Sequence, residues 1–245
     1  MSASHIIDAR STAEPFGLKK VVVFGASGHA KVILDILLKA AIFSVVGLLD
    51  EYKPPGYSFA GQTVLGTSSD LPRLTDEYAG LGVVMAIGDN WIRDRVVRAL
   101  VALGPDTDFV SAIHPSAQIA SDVTVERGTV IMAGAVLNPG VRVGEFCIVN
   151  TRASLDHDST MGAFSSLAPG AITGGNVAVG SYSNVGMGAT VLPGVSIGQH
   201  TLIGAGALVY RSVPDNSVAY GVPARLIRSR QPGDRYLREL GTTRY

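Results

Sequence analysis

Within the stretch NTRASLDHDST, residues 150–160, one imidazole stands between two carboxylates: His157 is flanked by Asp156 and Asp158. An imidazole titrates near pH 6.5, so it can take up a proton at neutral pH. A neighbouring carboxylate can orient the ring and stabilise the cation that forms; Asp158 is the better placed of the two. The trio suits general-base work on an amine or hydroxyl nucleophile, although a surface histidine with solvated acidic neighbours has the same local sequence. A second candidate is GASGHAK, residues 25–31, which follows the run KVVVF and opens a segment of helical spacing. A turn from strand to helix presents backbone N–H groups to a phosphate. Gly25, Ser27, Gly28 and His29 are the candidates there, with a plain strand–helix turn as the alternative. Ser27 and Ala30 stand where the dinucleotide fingerprint needs glycine, which disfavours a nicotinamide cofactor. No His/Cys cluster has ligand spacing, so no metal is expected. His114 and His200 lack an acidic partner in sequence and read as turn or surface residues.

The element that must position His157 is a repeat. From 113 to 214 the chain runs in sixes without an insertion, as in IMAGAV, LNPGVR, LDHDST, LAPGAI and VLPGVS. The first place is aliphatic or Met except at Thr173, and the fifth is always small. Such a period predicts a parallel β-helix, whose coils bury a continuous core only by stacking. The first residue points inward and the fifth tucks beneath a corner. Cys147 takes a fifth place and reads as core rather than nucleophile. Glycine recurs at the second place (144, 162, 174, 180, 186, 198, 204), where positive φ is expected to relieve strain. His157 takes the third place, which faces outward and leaves its ring free for chemistry.

The first half has another grammar. Strands at 20–24, 45–51 and 82–90 alternate with helical patterns beginning at 32 and 91, which predicts a small parallel sheet. Residues 52–62 read as a loop. The apolar run 32–49 approaches the length of a bilayer span. Asp35 and Lys39 fall inside it, so an amphipathic helix leading into a strand explains it better. The expected division is an extension at 1–19, a Rossmann-like α/β domain at 20–112, the β-helix at 113–214, and a cap and tail at 215–245. Of the 245 residues, 47% are apolar and 16% charged, and the formal net charge is zero. That excludes disorder and gives no basic face for nucleic acid or an acidic membrane. The single cysteine cannot form an internal disulfide, and the N-terminus lacks the pattern of a secretory signal; both point to the cytoplasm.

The sixes resemble the hexapeptide repeat of the left-handed β-helix acyltransferases. FGASGHAK, LDE, AIGDN with a following IR, NT–A–HD, GGN and GVPAR together resemble the bacterial nucleotide-sugar N-acetyltransferases and the related sialic-acid O-acetyltransferases. The resemblance covers roughly residues 20 to 227. It implies 18-residue coils, a homotrimer with active sites between subunits, acetyl-CoA as co-substrate and a nucleotide-linked amino sugar as acceptor. It assigns His157 as base, Asp158 as its orienting partner, and the backbone N–H of Gly175, one coil on, as holder of the thioester carbonyl. The sugar nucleotide would lie on Gly25, Ser27, Gly28 and His29, with Asp50 and Glu51 at the base, Gly88, Asn90 and Arg93 completing the pocket, and Asn150 near the sugar. Gly186, Gly204 and Ala205 would border the pantetheine cleft, with Arg225 at the phosphates of coenzyme A. Many relatives carry a second histidine where this chain has Ser166; half a coil from His157, it would serve the donor cleft of a neighbouring chain. Two alternatives stand beside N-acetylation: transfer to a sugar hydroxyl, and a trimeric sugar-nucleotide-binding protein without turnover.

Overall fold

The computed structural model describes residues 17–234. Most of the expected N-terminal extension and the last residues of the tail lie outside the described residues. The first half builds β1 (Lys19–Phe24), α1 (Gly28–Ala40), β2 (Phe43–Leu49), β3 (Ser58–Phe59), β4 (Gln62–Gly66), α2 (Leu71–Glu77), β5 (Gly82–Met85), α3 (Asn90–Leu103) and β6 (Asp108–Phe109). The sheet order is β3-β4-β2-β1-β5-β6. All pairings are parallel except β3 with β4, so the segment read as loop ends in a short hairpin. Val21, Val22 and Val23 are fully buried, as befits a central strand covered on both faces. The apolar run 32–49 resolves into the end of α1, whose Ala30, Ile33, Leu34, Ile36 and Leu37 are buried, followed by β2. No helix among the described residues is long and apolar enough to cross a membrane.

From Ala112 the chain winds as a left-handed parallel β-helix of two-residue strands in three sheets. Partners stand one coil of eighteen residues apart: Val130 with Ile148, Val136 with Ser154, Arg142 with Thr160. The first-place residues from Ile131 to Val209 form the buried core. The fifth place admits small polar residues because each spans two coils. Thr129 Oγ1 donates to the Gly144 carbonyl at 2.9 Å and accepts the Cys147 N–H at 3.2 Å. Ser183 Oγ donates to the Gly198 carbonyl at 2.6 Å and accepts the Thr201 N–H at 2.8 Å. Cys147 continues this ladder, and burial pushes its thiol pKa up, as suits a core residue. The strands Ser217–Gly221 and Ala224–Ser229 close the last coil as a hairpin.

The reason assigned to the second-place glycines is corrected by the structure. Positive φ falls at the fourth place instead: Gly128, Gly134, Gly140 and Gly170, but also Phe146, Arg152, Asp158 and Phe164. Second-place glycines answer to close packing between coils. A Cβ on Gly180 would lie 2.5 Å from the Gln199 nitrogen, and one on Gly162 would lie 2.6 Å from that of Ser181.

The two halves meet on one sheet. Ala112, Val130 and Ile148, which project outward from it, join the core of the α/β domain. Helix α3 supplies the polar joint, where Arg93 is 1% exposed. Its Nε donates to the Phe146 carbonyl at 2.8 Å, its Nη1 to Ile87 and Gly88, and its Nη2 to Asn90 Oδ1 at 2.8 Å and Phe164 at 3.3 Å. Asn90 Nδ2 donates to the Ser183 carbonyl at 3.1 Å. Beside this joint the rings of Phe146, Phe164, Tyr182 and His200 stack with centroids 5.0, 5.4 and 4.6 Å apart. Trp91 of α3 closes on the last two. His200 therefore ends an aromatic column and is more than a turn residue. Replacing Arg93 with alanine strips several buried carbonyls of their donor and is expected to cost about 3 kcal/mol, read by urea denaturation.

Candidate active site

His157 lies in the turn between Ser154–Leu155 and Thr160–Met161, strands of the two sheets that do not carry the α/β domain. In a three-sided helix that turn is the edge opposite the docked face. The His157 side chain is 55% exposed, and its Nδ1 stands 2.8 Å from Asp158 Oδ2. Asp158 has φ +57°, a left-handed conformation more often taken by Asp and Asn than by other non-glycine residues, and this turns its carboxylate back onto the ring. The hydrogen bond to Asp158 is the main cause that raises the His157 pKa above its ordinary 6.5. With Nδ1 occupied, Nε2 is the atom left to exchange a proton with a substrate. Gly175 lies directly against that atom: a Cβ built on it would be 2.4 Å from Nε2. The Gly175 N–H has no hydrogen-bond partner among the described residues. Base and free backbone donor thus share one spot, and both are legible from their separation of eighteen residues.

At the α/β end, Gly25 has φ +116°, and a Cβ there would stand 2.9 Å from the Ala86 carbonyl oxygen, so the turn requires glycine. Ser27 caps α1 with an extended backbone and no side-chain cap bond, leaving Ser27 and Gly28 exposed at the helix N-terminus. Asp50 braces the turn: Oδ2 accepts the Ala26 N–H at 2.7 Å, and Oδ1 accepts those of Tyr52 and Lys53. Glu51 Oε1 accepts the Ser68 N–H at 3.0 Å. Both carboxylates hold loops through these bonds.

His29 sits in the first turn of α1 with its Nε2 enclosed and unpartnered among the described residues, although the ring keeps some exposure. Burial first, and the Arg93 charge second, lower its pKa to about 4. It is therefore neutral at pH 7. Because the unfolded chain binds this proton near 6.5, the contribution is complete above that pH and is lost as pH falls towards 4. At most about 3 kcal/mol is involved. Urea unfolding at pH 7 and pH 4.5 is expected to show this loss, and His29→Gln to reduce it.

The other expected site residues divide between the joint and the edges of the β-helix. Asn90 and Arg93 are buried in the joint. Gly88 serves the same joint through its carbonyl. Ser166 is 5% exposed, and its Oγ lies 2.5 Å from Asn90 Oδ1, so it belongs to this joint and not to a donor cleft. Asn150 is half-buried at the next edge of the helix, its Oδ1 accepting the Thr151 N–H at 2.8 Å. On the same edge Gly186 and Gly204 stack closely, with a Cβ on Gly186 meeting the Ala205 nitrogen at 2.7 Å, and Ala205 is exposed. Arg225 is exposed, donating to the Tyr210 hydroxyl at 2.7 Å. A groove of about 530 Å³ runs past Arg142, Thr160 and Gly180 and takes in neither His157 nor the Gly25 turn. No His/Cys/Asp/Glu group that could hold a metal occurs among the described residues. The aromatic column escaped sequence reading, though its signal was present: 146, 164, 182 and 200 are spaced by eighteen at the fourth place.

Comparison with known proteins gives this geometry its family. Residues 20–100 match the PglD N-terminal domain. UDP-N-acetylbacillosamine N-acetyltransferase of Bacillus subtilis (strain 168) is 34% identical over 116 residues, 47% of this chain and 52% of that protein, so the match spans about half the length of the curated relative. A mutant of GDP-perosamine N-acetyltransferase from Caulobacter crescentus, solved with CoA and GDP-perosamine, is 36% identical over 89% of this chain and 100% of its own, with a TM-score of 0.80. The acetyltransferase domain of PglB from Neisseria gonorrhoeae FA1090, solved with acetyl coenzyme A, is 32% identical over 86% of this chain and 100% of its own, with a TM-score of 0.78. The chain belongs to the hexapeptide-repeat nucleotide-sugar N-acetyltransferases.

Proposed function

We propose that the protein is a cytoplasmic homotrimer that moves acetyl from acetyl-CoA to the amine of a nucleotide-linked aminodeoxy sugar, for bacterial surface glycan synthesis. The observation that carries this reading is the His157–Asp158 pair on an exposed edge with the Gly175 N–H beside it. The neutral amine attacks the thioester carbon while His157 Nε2 takes its proton, and Asp158 holds the imidazolium that results. The carbonyl electrons move onto oxygen, where the Gly175 N–H is the donor. Collapse expels the CoA thiolate, which recovers the proton. The cited relatives, bound to CoA with GDP-perosamine or to acetyl coenzyme A, support the same pair of substrates.

The fold supports a site shared between protomers. The Gly25 turn belongs to the domain on one face, and His157 stands on the opposite edge, so a sugar nucleotide on that turn is presented to the His157 of a neighbouring protomer. Exposed apolar residues support an interface there: Ile172 at 49%, Met187 at 60% and Leu192 at 41% lie on the sheet bounded by the two edges, or on those edges. A shared cleft of this kind fits a closed ring of three. The test is release of CoA from acetyl-CoA across a panel of nucleotide amino sugars and their hydroxyl counterparts. Turnover with amines supports the proposal, and turnover with hydroxyls alone favours O-acetylation. Binding without CoA release from any acceptor leaves only a binding protein.

A further inference from the structure

The catalytic turn rests on a residue from the preceding coil. Asn138 and Asp156 are eighteen residues apart, so they stack at the same place on the His157 edge. Asn138 Nδ2 donates to Asp156 Oδ1 at 2.7 Å, and the same oxygen accepts the backbone N–H of His157 at 2.8 Å. On the far side, the Asp156 N–H donates to Thr173 Oγ1 at 3.2 Å. Asp156 is thus gripped from the coil below through its side chain and from the coil above through its backbone, and it in turn grips the backbone of His157. Asp158 acts on the ring; Asp156 acts on the chain that carries the ring.

We infer that Asn138 and Asp156 form a positioning relay that fixes the backbone of His157, so that Nε2 meets the acceptor while Asp158 holds Nδ1. This rests on the reading of His157 as the base. The relay suits the chemistry because it adds a side-chain hold to the backbone bonds between coils that fix this turn. His157 and Asp158 are both exposed, and a base displaced by as little as about 1 Å can lose roughly 10²-fold in rate. The charge on Asp156 contributes as well. Asn138 first, and the His157 N–H second, hold its carboxyl below the usual carboxylate range, so it stays ionised next to the imidazole and adds to the proton affinity given by Asp158. The other groups around the ring bear no charge within a coil: Pro139 lies below and Gly175 above. Asp122, one coil below Gly140, is occupied in accepting the Gly140 N–H at 3.0 Å. Arg211 stands at the same third place three coils on, far along the edge.

Two substitutions separate grip from charge. Asn138→Ala leaves the charge of Asp156 and removes its hold; kcat is expected to fall about 10-fold, with the KM for acetyl-CoA unchanged. Asp156→Asn keeps an acceptor for the His157 N–H and removes the charge; the acid limb of the kcat profile is expected to move to lower pH. Thermal unfolding of both variants guards against general loss of structure. An Asn138→Ala enzyme that keeps full kcat overturns the relay. So does a fall in kcat that merely tracks a lower melting temperature, or an Asp156→Asn profile that stays in place. His157→Ala is the control: if it stays active, the base assignment itself fails, whereas an inactive His157→Ala beside an unaltered Asn138→Ala sinks the relay alone.

Discussion

Replacing His157 with alanine is expected to lower kcat by about 10²–10⁴, the range over which a positioned general base contributes. The effect belongs to the chemical step. The side chain is more than half exposed, so folding and the melting temperature should change little. Binding of a nucleotide sugar, measured by calorimetry, should survive, because the Gly25 turn is on the far side of the protomer. The pH profile carries a second part of the same expectation. A base works only when neutral, so activity rises as pH passes through its pKa, and the hydrogen bond that Nδ1–H donates to Asp158 sets that rise above the ordinary 6.5. Asp158→Asn removes the carboxylate and is expected to bring the rise to lower pH, with a smaller maximum rate. An alanine variant with wild-type turnover would show that the proton leaves by another route.

Gly175→Ala is the second substitution with a large expected effect, and it adds a single methyl group. That methyl would stand 2.4 Å from His157 Nε2 and 2.5 Å from Cε1, inside contact distance. Gly175 has an ordinary negative φ, so the backbone accepts alanine without strain. The histidine gives way, since its side chain is exposed while the coil is locked by the Asn176 N–H to the His157 carbonyl at 2.8 Å and the Gly194 N–H to the Gly175 carbonyl at 2.9 Å. Moving the ring separates it from Asp158 and covers the N–H proposed for the oxyanion. Turnover is expected to fall by about 10²–10³, as when one oxyanion donor is lost. Stability should stay within about 1 kcal/mol, a surface change away from the core. Steady-state kinetics with a denaturation curve decide the matter: a large loss of kcat with an unchanged midpoint is expected, and unchanged kcat removes Gly175 from the site.

The repeat was legible in the sequence because its signal is periodic and its physical cause is local. An aliphatic residue every sixth place can be buried in only a few ways, and the frame then places His157 and Gly175 against each other without further information. Three features were not legible in the same way. The left-handed places belong to the fourth residue, where Phe, Tyr, Arg and Asp occur beside glycine, so composition pointed to the second place, at which glycine is needed for coil contact. Asn90, Arg93 and Ser166 looked like site residues by their motif, yet they are consumed in joining two domains that no local pattern places against each other. Asp50 was read only as a contact to ligand, and the three backbone donors it also accepts were not foreseen. In each case the motif identified a residue that matters, and the long-range partner that fixes its task lay far off in the chain.

The joint on α3 counts as well as holds. Arg93 reaches carbonyls on successive windings at Phe146 and Phe164, and Asn90 reaches Ser183 at the winding beyond. The helix is thereby pinned to particular storeys of a staircase with identical steps. Lineages of such a protein can lengthen or shorten it by whole storeys on the C-terminal side of Ser183, but adding one between residues 146 and 183 would pull those pins out of register. Length variation should therefore gather at the C-terminal end of the staircase.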